Sequence, residues 1–490
     1  MAKFDFAGLP PLTILKPDQI EQVHANALKI LEDVGVYFDS DEAVGILADA
    51  GCTVDRDAKI VKFPSSLVLK CIELAPETIR LYDRDGELYT ELGGNKVHFD
   101  PCSCPSNVLL DDGVSIRQSS VEDLKTIIKV ADTLDQYDLQ SGAVVCHDVP
   151  VAMDTIYANY LIMKGSKKPI IDGAIDVPGV RRTFELFKAI RGSEQAVREK
   201  PYAIFDICPA PPLKWSEISS ANIIDCARLG LPIETISLPL PGAGSPVTLA
   251  GSIVQHTAET LSGLVLAQVI HPGLPFSYGG APVLFDMRTT TTPMAALEAN
   301  MISCGYALMG KYYGLPTHTY ATLSDAKVVD YQAGYETAMS GLLCALSGFN
   351  MISGAGGLDY VAEFSIEKLV MDAEVIGMIK RLLRGIEFNE ETLAQALIYE
   401  IGPGGDFLKS KHTRKWFKRE QYMPSPVVDR QDRANWDAAG QVGIYQRAKE
   451  QLAAIRQQPG RPLDTDRSRA LDQALMDVAA EAGVTVPLTD

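Results

Sequence analysis

Eight short, mostly apolar runs, each followed by a helix-like stretch, constrain the fold of this chain more than any other feature. They cover residues 97–102, 139–146, 169–175, 202–208, 232–238, 275–280, 316–323 and 349–354. Most are continuously apolar rather than alternating, which is typical of strands buried on both faces of a parallel sheet. Eight strand–helix units in succession predict a (β/α)8 TIM barrel, with the active site in the loops that follow the strands. A doubly wound open sheet is the alternative fold.

The barrel is predicted to occupy residues 96–386, between two extensions. Residues 1–95 hold a helical period that ends at Gly35 and a hairpin-like turn around Asp85 and Gly86, and we expect them to pack on one end of the barrel. Residues 387–490 are predicted to be a helical tail. Its charged amphipathic stretches suit either an arm that embraces the barrel or an oligomer contact.

The net charge of the chain and its cysteines indicate which partners it can bind and in which cellular compartment it works. The formal net charge of −18 over 490 residues argues against nucleic acid or an anionic membrane as a general partner, and it is compatible with a cationic substrate. Nine cysteines at scattered spacings, with no signal-like segment at the start, predict reduced thiols and a cytoplasmic protein. The uncharged stretch 337–358 is broken by Asn350 and several glycines, so we predict no membrane segment.

Motifs for nucleotide and metal binding are incomplete. The glycines of residues 354–357 do not form the dinucleotide pattern, and the Gly/Pro-rich segment 241–246 lacks the lysine of a P-loop. The seven histidines form no metal motif, and Cys102 and Cys104 have no second pair at ligand spacing. We therefore predict no metal site. A nucleophile at Cys102, Cys104 or Cys208 stays open, although no activating base is evident.

Polar and aromatic residues at the strand ends are the candidate site. Acidic residues at the strand ends are suited to general acid/base catalysis or to cation binding. The face of an aromatic ring attracts a quaternary ammonium group by ~0.5–2 kcal/mol per good contact. The alternatives are helix capping for the acids and core packing for the rings. Residues 354–357, almost without side chains, are expected to leave a space for a ligand. The candidates at this level include Asp100, His147, Asp206, Phe205, Tyr278, His318 and Tyr320.

Three motifs resemble the trimethylamine methyltransferase superfamily. They are residues 323–336 with Asp325-Ala326-Lys327 inside, residues 354–374, and residues 402–413, and the resemblance extends over nearly the whole chain. It implies a TIM barrel that transfers a methyl group from a methylated amine to the cobalt of a separate corrinoid protein. It also implies that no cofactor is held permanently by this chain.

One departure from that family narrows the expected substrate. The archaeal archetypes carry pyrrolysine near the end of the eighth strand, where this chain has only Gly and Ala, with Gly356 the best match. The chain is therefore similar to the non-pyrrolysine branch, which includes glycine betaine:corrinoid methyltransferases. A quaternary amine is already activated, because its leaving group is a neutral tertiary amine, and Co(I) is the nucleophile. No side chain is assigned a catalytic role.

The resemblance and the strand-end positions together give a set of expectations. The substrate is glycine betaine, which leaves dimethylglycine, or alternatively carnitine, γ-butyrobetaine or proline betaine. The other classes are a barrel that binds a betaine without catalysis and a metal-dependent lyase using Asp100, Asp206 and His147. We expect a homo-oligomer that works with a cognate corrinoid protein. The predicted substrate-binding residues are Tyr278, Tyr320 and Phe205 as an ammonium cage, His147, His318 or Gln332 as a carboxylate anchor, and Asp100 and Asp206.

Overall fold

A computed structural model, which describes residues 10–489, forms an eight-stranded parallel barrel. Its strands β1 to β8 are His98–Pro101, Gln140–Ser141, Ile170–Gly173, Ala203–Ile207, Ile233–Ser237, Phe276–Gly280, Thr317–Tyr320 and Met351–Ala355. Neighbouring strands pair in parallel from β2 round to β8 and then β1. The Asp138 amide donates to the Phe99 carbonyl at 2.7 Å and links β1 to the start of β2. The predicted TIM barrel is confirmed, and each of the eight runs overlaps a strand, the last of which extends one residue beyond its run to Ala355.

A helix follows every strand and packs outside the barrel. These helices, α1 to α8, are Val121–Thr133, Asp154–Gly165, Gly179–Arg191, Glu217–Leu229, Leu249–Ile270, Leu297–Tyr312, Tyr331–Leu346 and Ile366–Leu383. Local sequence explains several of their ends. The Ser216, Asp330 and Ser365 side chains accept from the first turns of α4, α7 and α8. Gly192 and Gly230 end α3 and α4 in the left-handed conformation that glycine adopts most easily.

The N-terminal extension closes the amino-terminal end of the barrel. In the hairpin of Ile79–Tyr82 and Leu88–Leu92, buried side chains pack with Leu139, Ile171 and Met351 at the starts of barrel strands. This end is therefore filled, and a ligand must enter at the carboxyl ends of the strands. The other elements here are Pro17–Asp33, Val36–Phe38, Asp41–Asp49, Thr53–Asp55, Ile60–Lys62 and Ser65–Leu74. Residues 1–9 of the predicted extension lie outside the described residues.

The C-terminal tail wraps around its own barrel. Its helices are Glu390–Leu393, Gln395–Ile401, Lys411–Glu420, Arg433–Ala438, Ile444–Gln457 and Thr465–Glu481. The Tyr160 hydroxyl of α2 donates to the Asp472 carboxylate at 2.7 Å. The Arg84 guanidinium, in the turn of the N-terminal hairpin, donates to the carbonyls of Arg461 and Pro462. The tail is therefore an arm held by the same chain.

Residues 409–419 of this arm carry a cluster of basic side chains, some of which form ion pairs within the arm. Lys415 forms an ion pair with Glu391, and Arg419 forms one with Glu387. Trp416 between them is buried. These contacts favour a structural role for part of the cluster.

Within residues 10–489, no helix combines the length and the apolar character that crossing a bilayer requires.

Candidate active site

A cavity of about 390 Å³ lies at the carboxyl ends of the barrel strands. Its apolar walls come mainly from β4, β5 and the loops after β3 and β6. The described residues that line it include no Lys, Arg or His. Its polar lining consists of Ser103, Cys104, Thr155, Asp172, Asp206, Cys208, Ser219, Asn222 and Tyr320. A small, mostly apolar pocket with acidic groups is suited to a small cationic molecule.

Asp206, on β4, is one of the two acids that line this cavity. The Tyr320 hydroxyl, at the end of β7, lies 3.4 Å from Asp206 Oδ2 and also hydrogen-bonds to the Ser103 hydroxyl. Within the described chain, the buried Oδ1 of Asp206 has no hydrogen-bond partner. Loss of hydration raises the pKa of Asp206, because the charged form is disfavoured in a poorly solvated site. A bound cation would compensate the charge of this carboxylate.

Asp172, at the end of β3, is a second cavity acid with a fixed orientation. Asn159 Nδ2 of α2 donates to its Oδ2 at 2.8 Å, and the Gly173 amide donates to its Oδ1 at 2.9 Å. Loss of hydration and the charge of Asp206 raise the pKa of Asp172 well above its ordinary value. A cation beside the two acids would offset this shift by stabilising their ionised forms, so the cavity favours a positively charged ligand.

A buried polar network fills the barrel below the cavity. Glu234 of β5 pairs in register with Asp206 of β4 and is 0% exposed. His318 Nδ1 lies 3.4 Å from Glu234 Oε1, and His318 Nε2 lies 2.8 Å from the Ser353 hydroxyl. That hydroxyl also donates to Asp100 Oδ1 at 2.8 Å. Burial lowers the pKa of His318 to about 3, so its imidazole is neutral at neutral pH, and burial also raises the pKa of Asp100.

Two of the three rings expected to form an ammonium cage do not line the cavity. Phe205 points out of the barrel and packs edge-on against Phe187 of α3, with ring centroids 6.0 Å apart. Tyr278 also points outward, and its hydroxyl donates to Thr257 of α5 at 2.8 Å. Successive residues of a strand face opposite sides, so each of these rings belongs to the packing between barrel and helices. Tyr320 is the predicted ring that faces the cavity.

Four other predicted binding residues lie away from the cavity wall, whereas the predicted Asp206 lines it. His147 is exposed in the loop after β2, where its Nε2 contacts the Ser106 carbonyl at 3.1 Å. Gln332 of α7 donates to Glu336 at 3.0 Å and lines a separate polar cavity between loops. Asp100 and His318 belong to the network below the site, so they reach a ligand only through other groups.

The expectation of a ligand space at residues 354–357 is wrong. A Cβ on Gly354 would lie 2.0 Å from the Ala321 carbonyl oxygen, and one on Gly356 would lie 2.5 Å from the Phe364 ring. The Gly356 amide donates to Asp372 at 2.8 Å. Neighbouring atoms therefore pack directly against the backbone of these glycines, and no free volume remains where side chains would stand. Gly354 and Gly356 also have φ of +135° and +83°, which favour glycine.

Sequence reasoning missed Glu234, and it did not include Asp172 among the predicted substrate-binding residues. A signal for Glu234 existed, because it is an acid in the middle of an otherwise apolar strand, and such a residue has to be paired or neutral when buried.

Two of the three cysteines considered as nucleophiles, Cys104 and Cys208, line the cavity. Loss of hydration raises the pKa of Cys104 to about 12, so its thiol stays protonated at neutral pH. Across residues 10–489, no group of three or more His, Cys, Asp or Glu is arranged to hold a metal ion.

Comparison with known proteins identifies the family. The family model described as trimethylamine methyltransferase (MTTB) matches residues 3–483. The chain belongs to the trimethylamine methyltransferase (MTTB) family. A trimethylamine methyltransferase MttB of Methanosarcina barkeri (strain Fusaro / DSM 804) is 34% identical over 98% of both chains. A glycine betaine methyltransferase of Desulfitobacterium hafniense (strain Y51) is 32% identical over 87% of this chain and 89% of its own length. This member of the family is a methyltransferase enzyme.

Solved structures agree with the barrel. The crystal structure of the Methanosarcina barkeri monomethylamine methyltransferase (MtmB) matches with a TM-score of 0.54. The match covers 99% of this chain and 91% of that one at 12% sequence identity. At this identity the likeness concerns the fold alone.

Proposed function

We propose that this family member transfers a methyl group from a quaternary amine to the Co(I) of a corrinoid carried by a separate protein. Glycine betaine is the first substrate to test, and its product is dimethylglycine. The proposal is supported by the relative named as a glycine betaine methyltransferase. It is supported most by the acidic, otherwise apolar cavity around Asp206, Asp172 and Tyr320.

The methyl transfer requires the protein mainly to bind the substrate and orient it. A quaternary ammonium cannot lose its charge by deprotonation, so it is attracted to Asp206 and Asp172 at any pH at which they are ionised. When the methyl group leaves, the nitrogen keeps the electron pair of the broken C–N bond and becomes neutral. Co(I) supplies the nucleophile, so no side chain has to. Apolar walls such as Ile207 and Ile236 exclude water, and the acids orient the substrate.

The acceptor has to approach from the carboxyl ends of the strands. The hairpin of Ile79–Tyr82 and Leu88–Leu92 fills the opposite end of the barrel. A cavity of about 390 Å³ has the size of a small-molecule site, so the corrinoid acts as a substrate presented from outside.

The alternative substrates differ in where they place a carboxylate. The described cavity lining has two acids and no basic side chain, so a carboxylate close to the ammonium group meets negative charge. Carnitine and γ-butyrobetaine hold the carboxylate further from the nitrogen than glycine betaine does. For this reason carnitine and γ-butyrobetaine are the second candidate substrates. Proline betaine is the remaining candidate.

The test is an anaerobic assay of methyl transfer to free cob(I)alamin and to a corrinoid protein. Glycine betaine, carnitine, γ-butyrobetaine, proline betaine and trimethylamine are the methyl donors. We expect methylated corrinoid with at least one quaternary amine and little with trimethylamine. If no quaternary amine is demethylated, the proposal is wrong. Binding without transfer would favour a betaine-binding protein, and an activity abolished by chelators would favour a lyase.

We also propose that the enzyme is a homo-oligomer. The proposal is supported by exposed apolar side chains on neighbouring helices, among them Leu297 and Met301 on α6 and Tyr331, Tyr335 and Met339 on α7. Spaced four residues apart, they line one face of each helix. Light scattering coupled to size-exclusion chromatography is expected to give a multiple of 53.2 kDa, and a single 53.2 kDa species would contradict the proposal.

A further inference from the structure

Glu234 is a buried acid for which the proposed methyl transfer has no use. It lies in the middle of β5, 0% exposed, beneath the cavity and beside Asp206 on β4. In the described chain both of its carboxylate oxygens lack a hydrogen-bond partner. An ionised carboxylate in that state would carry a large desolvation penalty, so the site has to keep Glu234 neutral or supply a positive charge.

The groups that face Glu234 supply no positive charge. They are Asp206 on β4, Asp100 on β1, Cys208 after β4 and His318 on β7, and Asp206 in turn contacts Tyr320. No Lys or Arg among the described residues forms an ion pair with Glu234 or Asp206. Burial keeps His318 neutral, with a pKa of about 3. Two carboxyl groups side by side without a cation hold one proton between them.

The hydrogen-bond pattern favours Glu234 as the holder of that proton. The single Ser353 hydrogen is donated to Asp100 at 2.8 Å, so the contact between His318 Nε2 and Ser353 requires the proton on Nε2. His318 Nδ1 is then a lone pair, and it lies 3.4 Å from Glu234 Oε1. An ionised Glu234 would repel this lone pair more strongly than a neutral Glu234 does, so the contact favours the protonated form of Glu234. Glu234 pairs in register with Asp206, so its single proton, carried on the oxygen that does not face His318, can be donated to Asp206.

We infer that Glu234 is a neutral carboxylic acid that donates a hydrogen bond to Asp206 and thereby keeps Asp206 ionised in the cavity. The inference rests on the proposed function and adds a positioning residue to it. A hydrogen bond to the charged form of an acid favours that form. Glu234 therefore secures the negative charge of Asp206 for the ammonium group without adding a charge of its own. The amount of negative charge in the site matters because the substrate loses its positive charge during the reaction. A site that binds the charged substrate too strongly would therefore slow the transfer.

The experiment compares Glu234→Gln with Glu234→Leu, using tetramethylammonium as the binding probe and calorimetry between pH 6 and 9. Gln retains a donor, so we expect affinity within about threefold of wild type and a similarly flat pH profile. Leu removes the donor, so the pKa of Asp206 rises further and its ionised fraction falls. We expect at least a tenfold loss of affinity that recovers as the pH rises. In methyl transfer, Glu234→Leu should raise KM more than it lowers kcat.

Glu259→Gln is the matched control. Glu259 is also 0% exposed, but its carboxylate accepts from Ser237, Leu213 and Gln255 on the outer side of β5. Its neutralisation should leave the affinity for tetramethylammonium and the pH profile unchanged. An equal loss in Glu234→Gln and Glu234→Leu, or a flat profile in Glu234→Leu, would overturn the inference.

A second measurement does not depend on the folding of Glu234→Leu. Infrared difference spectra of wild type minus Glu234→Gln, with ¹³C-labelled glutamate, should contain the carbonyl band of a protonated carboxyl at pH 8. Absence of that band overturns the inference while methyl transfer by the wild type still supports the proposed function. Failure of every quaternary amine to bind or react overturns both.

Discussion

Two tyrosines that look equivalent in the sequence have separate roles at the level of single residues. The Tyr320 hydroxyl contacts Asp206 inside the cavity, whereas the Tyr278 hydroxyl contacts Thr257 between the barrel and α5. Burial of Tyr278 is complete, and its ring packs against His256 and Tyr306. One hydroxyl is therefore available to a ligand, and the other stabilises the fold.

Phenylalanine substitutions separate these roles. Tyr320→Phe removes a hydrogen bond to the charged Asp206, so we expect kcat/KM for the quaternary amine to fall about tenfold or more, on the scale of ~1.5–3 kcal/mol for such bonds. Tyr278→Phe should leave KM unchanged and lower the free energy of unfolding by about 1 kcal/mol. Steady-state kinetics and urea unfolding of both variants measure this. A larger KM effect in Tyr278→Phe would contradict the assignment of Tyr320 to the site.

The buried His318 gives a pH dependence with a defined sign. Its pKa is lowered from 6.5 to about 3, so below pH 6.5 the unfolded chain binds a proton that the folded protein does not. The stability that His318 contributes is complete above pH 6.5 and is lost as the pH falls towards 3. The stability difference between wild type and His318→Gln should therefore shrink below pH 6.5 by up to ~1.4 kcal/mol per pH unit. Urea unfolding from pH 7.5 to 5 measures it, and a constant difference would contradict a neutral buried imidazole.

At the level of elements, the loop after β8 is built for close packing. The strand Gly357–Leu358 pairs with Glu363–Phe364, which in turn pairs with Asn107–Leu109 after β1. Asp372 of α8 accepts from the Gly356 amide at 2.8 Å and forms a buried ion pair with Lys368 at 2.6 Å. These contacts fix the loop that borders the cavity through Val361.

Two glycine-to-alanine substitutions test this packing. At Gly356, a Cβ would lie 2.5 Å from the Phe364 ring at φ +83°, so we expect the free energy of unfolding to fall by about 1–3 kcal/mol. Gly334 in α7 is the control, because a Cβ there meets nothing within 4 Å. Gly334→Ala should stabilise the protein by up to ~1 kcal/mol. Equal stability of Gly356→Ala and wild type would show that the loop has the free space expected from sequence.

At the level of the whole molecule, the C-terminal arm and the N-terminal hairpin meet at Arg84. Its guanidinium is 2% exposed and donates to the carbonyls of Met163, Lys164, Arg461 and Pro462. Four carbonyl acceptors around one cation join the hairpin, α2 and the arm. A buried charge that loses these partners is costly, so the three parts depend on one another.

Substitution of Arg84 tests whether it holds the arm. Arg84→Gln should increase the rate of proteolytic cleavage within residues 458–464 several-fold, because the segment loses its anchoring bonds and opens more often. Arg469→Gln, on the exposed side of the same arm, is the control and should be cleaved at the wild-type rate. Limited proteolysis followed by mass spectrometry locates the cut. Unchanged cleavage in Arg84→Gln would mean that other contacts hold the arm.

The barrel itself could be predicted because its signal is local. Each strand is a short apolar run and each helix has its own period and caps, such as Ser216 before α4 and Gly230 after it. Those features follow from neighbouring residues in the chain. The position of Asp206 at the end of β4 also indicated that it lies at the barrel mouth.

The side chains that form the cavity depended on the tertiary structure. Phe205 and Asp206 are adjacent in sequence, yet one packs against Phe187 outside the barrel and the other faces the cavity. A shift of one residue in strand register exchanges the two faces, and register is set by pairing with distant strands. In the same way, the sequence suggested free space at Gly356, whereas in the structure the Phe364 ring occupies that space. The sequence alone determined the barrel and the end that carries the site, because periodicity is local, whereas the lining of the site was decided by contacts between distant residues.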